Sequence, residues 1–325
     1  MTPGEVVAKT VGAEEISYSA VRRYVEAHEM EWPLYSDADA ARAHGHDTVI
    51  APWSMLLTAA MPAYWAPGEE PLKPGTLPPF MWTKLDLPGS EMVTTSVDLE
   101  FLEPLRIGDR IETTYRIVRE TPKTTRVGEG VYVDFELEFR RQDGTVVAVE
   151  RTSIYSYTPS APSPSASSPP PVPATSSAPP GPVGSASSPH AGDLVGPLSM
   201  HLSLQRLVMV SGANRDFAPT HIDNEAAREG GAPAAYADIM FIFTMIDRLL
   251  LEWAGPSAVL RRIGPVKLHD FVLSGEDLAV TGTVRDVAEA TASDGRAGTE
   301  VEVEIAFTQG ARRPVTGRGR VWTPA

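Results

Sequence analysis

Pro219-Thr220-His221-Ile222-Asp223-Asn224-Glu225-Ala226-Ala227-Arg228 repeats, 186 residues on, the pattern of Pro33-Leu34-Tyr35-Ser36-Asp37-Ala38-Asp39-Ala40-Ala41-Arg42, as P-x-[YH]-x-D-x-x-A-A-R. Without a gap the same register carries Gly45 onto Gly231 and Ala51 onto Ala237. Self-similarity at a fixed shift marks a duplicated unit, so the chain reads as two copies of one fold. The copies differ in chemistry: Asp216 stands where the first copy has Met30, and His221 where it has Tyr35.

Asp216 and His221 are five residues apart. On a regular helix that spacing rotates two side chains apart by about 140°, so they share a site only if the backbone between them is not helical. Pro219, with its fixed φ and its bias on Ala218, favours an extended turn that brings the two together. Asp223 then suits the N-cap of a short helix starting at Asn224. Asp and His are also ordinary turn and cap residues. Converged beside an apolar segment, however, they are the parts needed to hold one water, or to move one proton on and one off a substrate.

The 325 residues leave room for two units with real cores, and 42% hydrophobic with 22% charged residues is ordinary for a globular protein. A net charge of −14 without a basic stripe argues against nucleic-acid binding. The absence of cysteine excludes a disulfide framework, a thiolate nucleophile and a Cys-based zinc site. Met1–Thr10 has no basic segment leading into an apolar core, so no signal peptide is expected and a cytoplasmic protein is.

Residues 1–158 form the first expected unit. Ile16, Ala20, Val21, Tyr24, Val25 and Met30 follow the helical period, with Ser17 or Ser19 as cap. An apolar helix is expected over Ile50–Met61, entered through Pro52 and too short to span a bilayer. Pro62–Gly89, with Trp65, Phe80 and Trp82, reads as a long loop. The period then becomes two, predicting antiparallel strands over 93–101, 110–118, 131–139 and 146–157. Residues 159–193 are expected to be a linker, being rich in Pro, Ser and Ala and without charge as far as Pro189. In the second unit, 194–325, Tyr236–Trp253 is apolar almost all round and reads as a buried helix. Asp238, Asp247, Arg248 and Glu252 argue against a membrane span. Strands follow over 266–273, 278–287, 299–307 and 314–322. Each unit is thus α+β, a buried helix against an antiparallel sheet.

This duplicated arrangement resembles the double hotdog of MaoC-like enoyl-CoA hydratases and dehydratases, over nearly the whole chain apart from the linker. The specific part is D-x-x-P-x-H at Asp216–His221 with Asp223 following, similar to the family's D-x-N-P-x-H-x-D. Two departures are Ala218, where the family commonly has Asn, and Asp238-Ile239, where it usually has glycine early in the buried helix. Arg215-Asp216-Phe217 with Glu252–Ser257 looks most like the subgroup acting on bulky acyl-CoA esters such as steroid side chains.

The resemblance implies that Asp216 and His221 add water to a 2-enoyl thioester, or dehydrate a (3R)-3-hydroxyacyl thioester, carried on CoA or a carrier protein. The Ile239 backbone N–H is then the expected donor to the thioester oxygen. Trp53, Trp82, Phe217 and Tyr236 are the expected substrate-pocket residues, and the first unit, without the pair, is expected to shape the acyl pocket. No metal or other cofactor is expected, and His44-Gly45-His46 lacks a third ligand nearby. The readings left open are isomerisation or cyclisation of a polyketide-type acyl chain, a non-catalytic acyl-thioester module, and a homodimer of double hotdogs.

Overall fold

The structure is a computed structural model that describes residues 4–73, 75, 76, 87, 89, 91–125, 128–159, 188–292 and 295–324. Most of the expected linker, with Phe80 and Trp82, lies outside these residues.

In the first part of the chain the elements are β1 (Val6–Val11), α1 (Tyr18–His28), a 3-10 turn at Pro33–Tyr35, α2 (Ala38–Ala43), a second 3-10 turn at Trp53–Met55, α3 (Leu56–Ala60), β2 (Glu91–Phe101), β3 (Glu112–Thr125), β4 (Gly128–Arg140) and β5 (Val146–Pro159). The second part holds β6 (Leu194–Leu202), α4 (Leu204–Asn214), α5 (Pro219–Ile222), α6 (Asn224–Glu229), α7 (Ile239–Ala254), β7 (Val259–Leu268), β8 (Glu276–Thr291), β9 (Ala297–Gln309) and β10 (Arg312–Pro324). The 186-residue shift read from the sequence carries both ends of α1 onto α4 and both ends of α2 onto α6. Equivalent caps explain the agreement: Ser17 and Ser203 accept from the third residue onward, and Asp37 and Asp223 each accept from the next two helical N–H groups.

All pairings between named strands are antiparallel, in one sheet ordered β1-β3-β4-β5-β2-β7-β10-β9-β8-β6. Each half repeats the same order about a seam between β2 and β7, where Val97 faces Val266, Leu99 faces Ile263 and Glu100 faces Arg262. The seam is tight: a Cβ on Gly264 would lie 2.6 Å from the Asp98 backbone, so only glycine fits there. Arg262 donates to the Asp98 carboxylate across it.

Helix α7 is the core of the second half. Asp238 caps it by accepting from Phe241 N at 2.6 Å, and its face toward the sheet and toward the first half is buried, including Asp247 and Arg248. The first half's counterpart is shorter than the 50–61 helix expected. Pro52 sits outside it in an extended conformation, the first turn is 3-10, and Pro62 forces Met61 out of the helical region after Ala60. The strand expected over 266–273 instead begins at Val259 and ends at Leu268. Edge strands β1 and β6 were not expected at all.

Candidate active site

Asp216 and His221 meet at the N-terminal end of α7. The route differs from the expected extended turn: Ala218 is extended, at φ −58 and ψ 128, but Pro219 opens the one-turn helix α5 on which His221 lies. Pro suits that first helical position because no N–H is needed there. Arg215 closes α4 in the left-handed region at φ 60, and its guanidinium donates to Met61 O and Pro62 O of the first half, both at 3.1 Å.

His221 Nε2 lies 3.8 Å from Asp216 Oδ2, too long for a direct hydrogen bond and suited to a small molecule held by both. His221 Nδ1 lies 2.8 Å from the carbonyl of Tyr236. That contact places the Nδ1 proton on the carbonyl side and leaves Nε2 facing Asp216. The Tyr236 ring stands edge-on to the imidazole at 5.0 Å and against Phe271 at 4.6 Å, so Tyr236 positions the histidine. Its backbone bridges to Leu273, as Ile50 bridges to Arg106 in the other half.

Asp216 is 4% exposed. Burial, and next the nearby Asp238 carboxylate, raise its pKa to about 6, against the opposing pull of His221 and of the Ala218 N–H. Asp238 is itself held by Asn214, whose amide donates to both carboxylate oxygens at 3.0 and 3.1 Å. With the Phe241 N–H taken by this cap, Ile239 and Met240 supply the first backbone N–H groups at the positive end of α7.

Phe217, 46% exposed, stacks edge-on against Tyr64 at 5.7 Å, and its N–H donates to the Tyr64 hydroxyl. Between them and Trp65, Leu72 and Arg215 opens a pocket of about 490 Å3. Trp53 is not part of this corner. It is buried against Phe101 in the other half and lines a different cleft. Trp82 lies outside the described residues, and among those residues no cluster of metal-binding side chains occurs, at His44 and His46 or elsewhere.

In the equivalent corner of the first half the polar groups are taken by protein. Tyr35, in the place of His221, donates its hydroxyl to Asp247 Oδ1 at 2.9 Å, and Ser54 donates its N–H and hydroxyl to Asp247 Oδ2 at 3.0 and 2.8 Å. The Trp53 N–H, counterpart of Ile239 N–H, points at the Tyr35 hydroxyl at 3.4 Å. The first turn that could hold a thioester oxygen is therefore capped by a carboxylate from α7. Sequence reasoning found Asp238 only as a neighbour of Ile239 and missed Asn214, Tyr64, Ser54 and the role of Asp247. An Asp immediately before an apolar helix is a cap signal that points to Asp238; the others are brought in only by tertiary packing.

The fold is a hotdog duplicated in one chain, with an acid and an imidazole at the N-terminal end of its long buried helix. The chain belongs to the MaoC-like hydratase and dehydratase family. It is 33% identical over 97 residues to the 3-oxo-4,17-pregnadiene-20-carboxyl-CoA hydratase beta subunit of Mycobacterium tuberculosis, a match spanning 27% of this chain and 75% of that one. It is 30% identical over 149 residues to a protein of Thermomonospora curvata named as an enoyl-CoA hydratase alpha subunit; the match covers 46% of this chain and about half, 47%, of that relative. A family model described as "FAS1-like, dehydratase domain region" matches residues 2–150, the half without the pair. A solved MaoC-like dehydratase superposes with a TM-score of 0.71 at 17% identity, covering 98% of each chain. A M. tuberculosis protein described as a double hotdog superposes with a TM-score of 0.62 at 11% identity, covering 99% of this chain and 96% of the other. Among the described residues no helix is long and apolar enough to cross a membrane.

Proposed function

We propose that the chain hydrates 2-enoyl thioesters, or dehydrates the corresponding 3-hydroxyacyl thioesters, at the corner formed by Asp216 and His221. The observation that carries this is the 3.8 Å gap between Asp216 Oδ2 and His221 Nε2 at the N-terminal end of α7. A water in that gap lies between the Asp216 carboxyl and His221 Nε2. For hydration one member of the pair holds a proton and the other is empty; burial raises the Asp216 carboxyl to about 6, so its charge changes close to neutral pH.

In the hydration direction the water oxygen bonds to C3 and its proton passes to whichever member of the pair is empty. The proton already held goes to C2. The pair thus ends with the same number of protons it began with, and dehydration is the reverse. Between the two steps negative charge sits on the thioester oxygen. The Ile239 N–H, reinforced by the dipole of α7, is the donor in position for it. Glycine's closer approach is replaced here by the Asp238 cap, which keeps the first N–H groups of α7 in line.

The bulky-acyl reading rests on the 490 Å3 pocket beside Phe217, whose walls come from the first half's loop, and on the steroid-type acyl-CoA in the relative's name. In this reading the first unit, 1–158, serves the acyl group, the segment 159–193 connects, and 194–325 carries the chemistry. Incubation with 2-enoyl-CoA esters from crotonyl to polycyclic, followed by loss of enoyl absorbance, tests it. Hydration of at least one ester supports the proposal, and hydration of none, with the protein folded, rejects it.

A further inference from the structure

At the C-terminal end of α7, about 24 Å from the Asp216 corner by helix rise over its 16 residues, lies a second cleft of about 400 Å3. That volume is in the range of small-molecule sites, roughly 300–1,000 Å3. Its lining is apolar at Trp32, Ile50 and Trp53 and basic at His44, His46, Arg261 and Arg296. Among the described residues that line it there is no carboxylate, in a chain whose net charge is −14.

The cleft has a definite relation to the catalytic corner. In the 186-residue register Trp32, Ile50 and Trp53 stand where Ala218, Tyr236 and Ile239 stand in the second half. Residues 258–261 of β7 and its approach, together with Arg296 at the β8–β9 connection, close it from the other half. By this register it lies beside the first half's counterpart of the Asp216–His221 corner, where Tyr35 and Asp247 take the helix N–H groups.

Two further observations point to a ligand. The Trp53 indole N–H is buried without a partner, whereas that of Trp32 donates to Gly255 O at 3.0 Å. A buried donor left unmade costs about 1–3 kcal/mol, and the residue that carries it lines the cleft. The field in the cleft is also one-sided. Burial first, then the side chains of Arg106, His44 and Arg296, push the His46 imidazole below its ordinary value, with Asp47 opposing.

We propose that this cleft is a second, non-catalytic ligand site that takes a small molecule with an anionic head on an apolar body. The Arg261, Arg296 and histidine wall holds the head, and the two tryptophans cover the body. The head is either the carboxylate of a free acyl chain or the phosphate of a nucleotide carrier. This proposal reads occupancy and does not depend on the chain turning over any thioester.

The full chain is titrated calorimetrically with decanoate and, separately, with CoA, alongside Arg261→Glu and Arg296→Glu. Matching melting temperatures establish that the variants fold. The expected result is binding of one of the two probes that each variant weakens tenfold or more, while enoyl hydration, where present, stays within twofold. Decanoate binding assigns a carboxylate head and CoA binding a phosphate head. Absence of binding by both probes, or binding that neither substitution changes, overturns the site. A chain that binds a probe here but hydrates no ester would reject the catalytic proposal and leave this one standing.

Discussion

Glu150→Gln is expected to stabilise the protein at pH 8 and to do little at pH 5. Glu150 lies on the inner face of β5, 2% exposed, accepts from Thr152 Oγ1 at 2.7 Å and has its second carboxylate oxygen buried without a partner. Burial raises its pKa from 4.5 to about 7, against the pull of that hydrogen bond. A folded-state value above the unfolded one means the folded chain holds the extra proton between about pH 4.5 and 7. Stability from this group is therefore greatest at low pH and falls as pH rises through that window. At about 1.36 kcal/mol per unit, the cost of the ionised group reaches about 3 kcal/mol above pH 7 and is under about 1 kcal/mol at pH 5. Gln keeps the acceptor for Thr152 and removes the charge, while its amide replaces one unpartnered atom with another. Thermal unfolding should show Tm raised by about 4–5 °C at pH 8, taking about 1.5 °C per kcal/mol for a chain of 325 residues, and by about 1 °C at pH 5. An equal shift at both pH values, or a loss at pH 8, would refute the reasoning that Glu150 is an uncompensated buried charge.

Tyr35→Phe removes the donor to Asp247 and should cost about 1–3 kcal/mol in urea unfolding while leaving hydration within twofold; a tenfold loss of turnover with stability intact would mean the first half takes part in the chemistry. Hydration by the native chain should change through about pH 6, where the buried Asp216 carboxyl gains or loses its proton. A rate flat from pH 5 to 8 would remove Asp216 from the proton transfers. Phe217→Ala should raise KM for polycyclic thioesters about tenfold, from the loss of about 1–3 kcal/mol of apolar contact, with crotonyl-CoA nearly unchanged. Equal losses for both substrates would remove the ring from the acyl pocket.

The fold was legible where local signals agreed. Ser17, Asp37 and Asp223 are caps that can be read one residue at a time, and the hydrophobic sweep of 236–253 announces a buried helix. The edge strands β1 and β6 were not legible, because their residues alternate weakly and they gain their bonds from β3 and β8. The early start of β7 was hidden by Arg261-Arg262, a pair that reads as solvated until Asp98 is seen across the seam. The shortening of the first central helix turns on Pro52 and Pro62 acting together, of which only the first was weighed.

At the site, Asp216 and His221 do come together, but by another route than the expected extended turn, because Pro219 opens a one-turn helix instead. Trp53 was assigned to the substrate because aromatic composition carries no direction: the duplication puts it at the opposite end of α7. Asp247 binds a tyrosine 212 residues away, a contact that spacing does not encode.

Hydration of an accepted 2-enoyl-CoA ester by Asp216→Asn and His221→Ala, each with its melting temperature, tests the central claim most directly. The account predicts folded variants with turnover lowered at least about a hundredfold, the scale of losing a general acid or base. Two folded variants with near-native turnover would place the chemistry elsewhere.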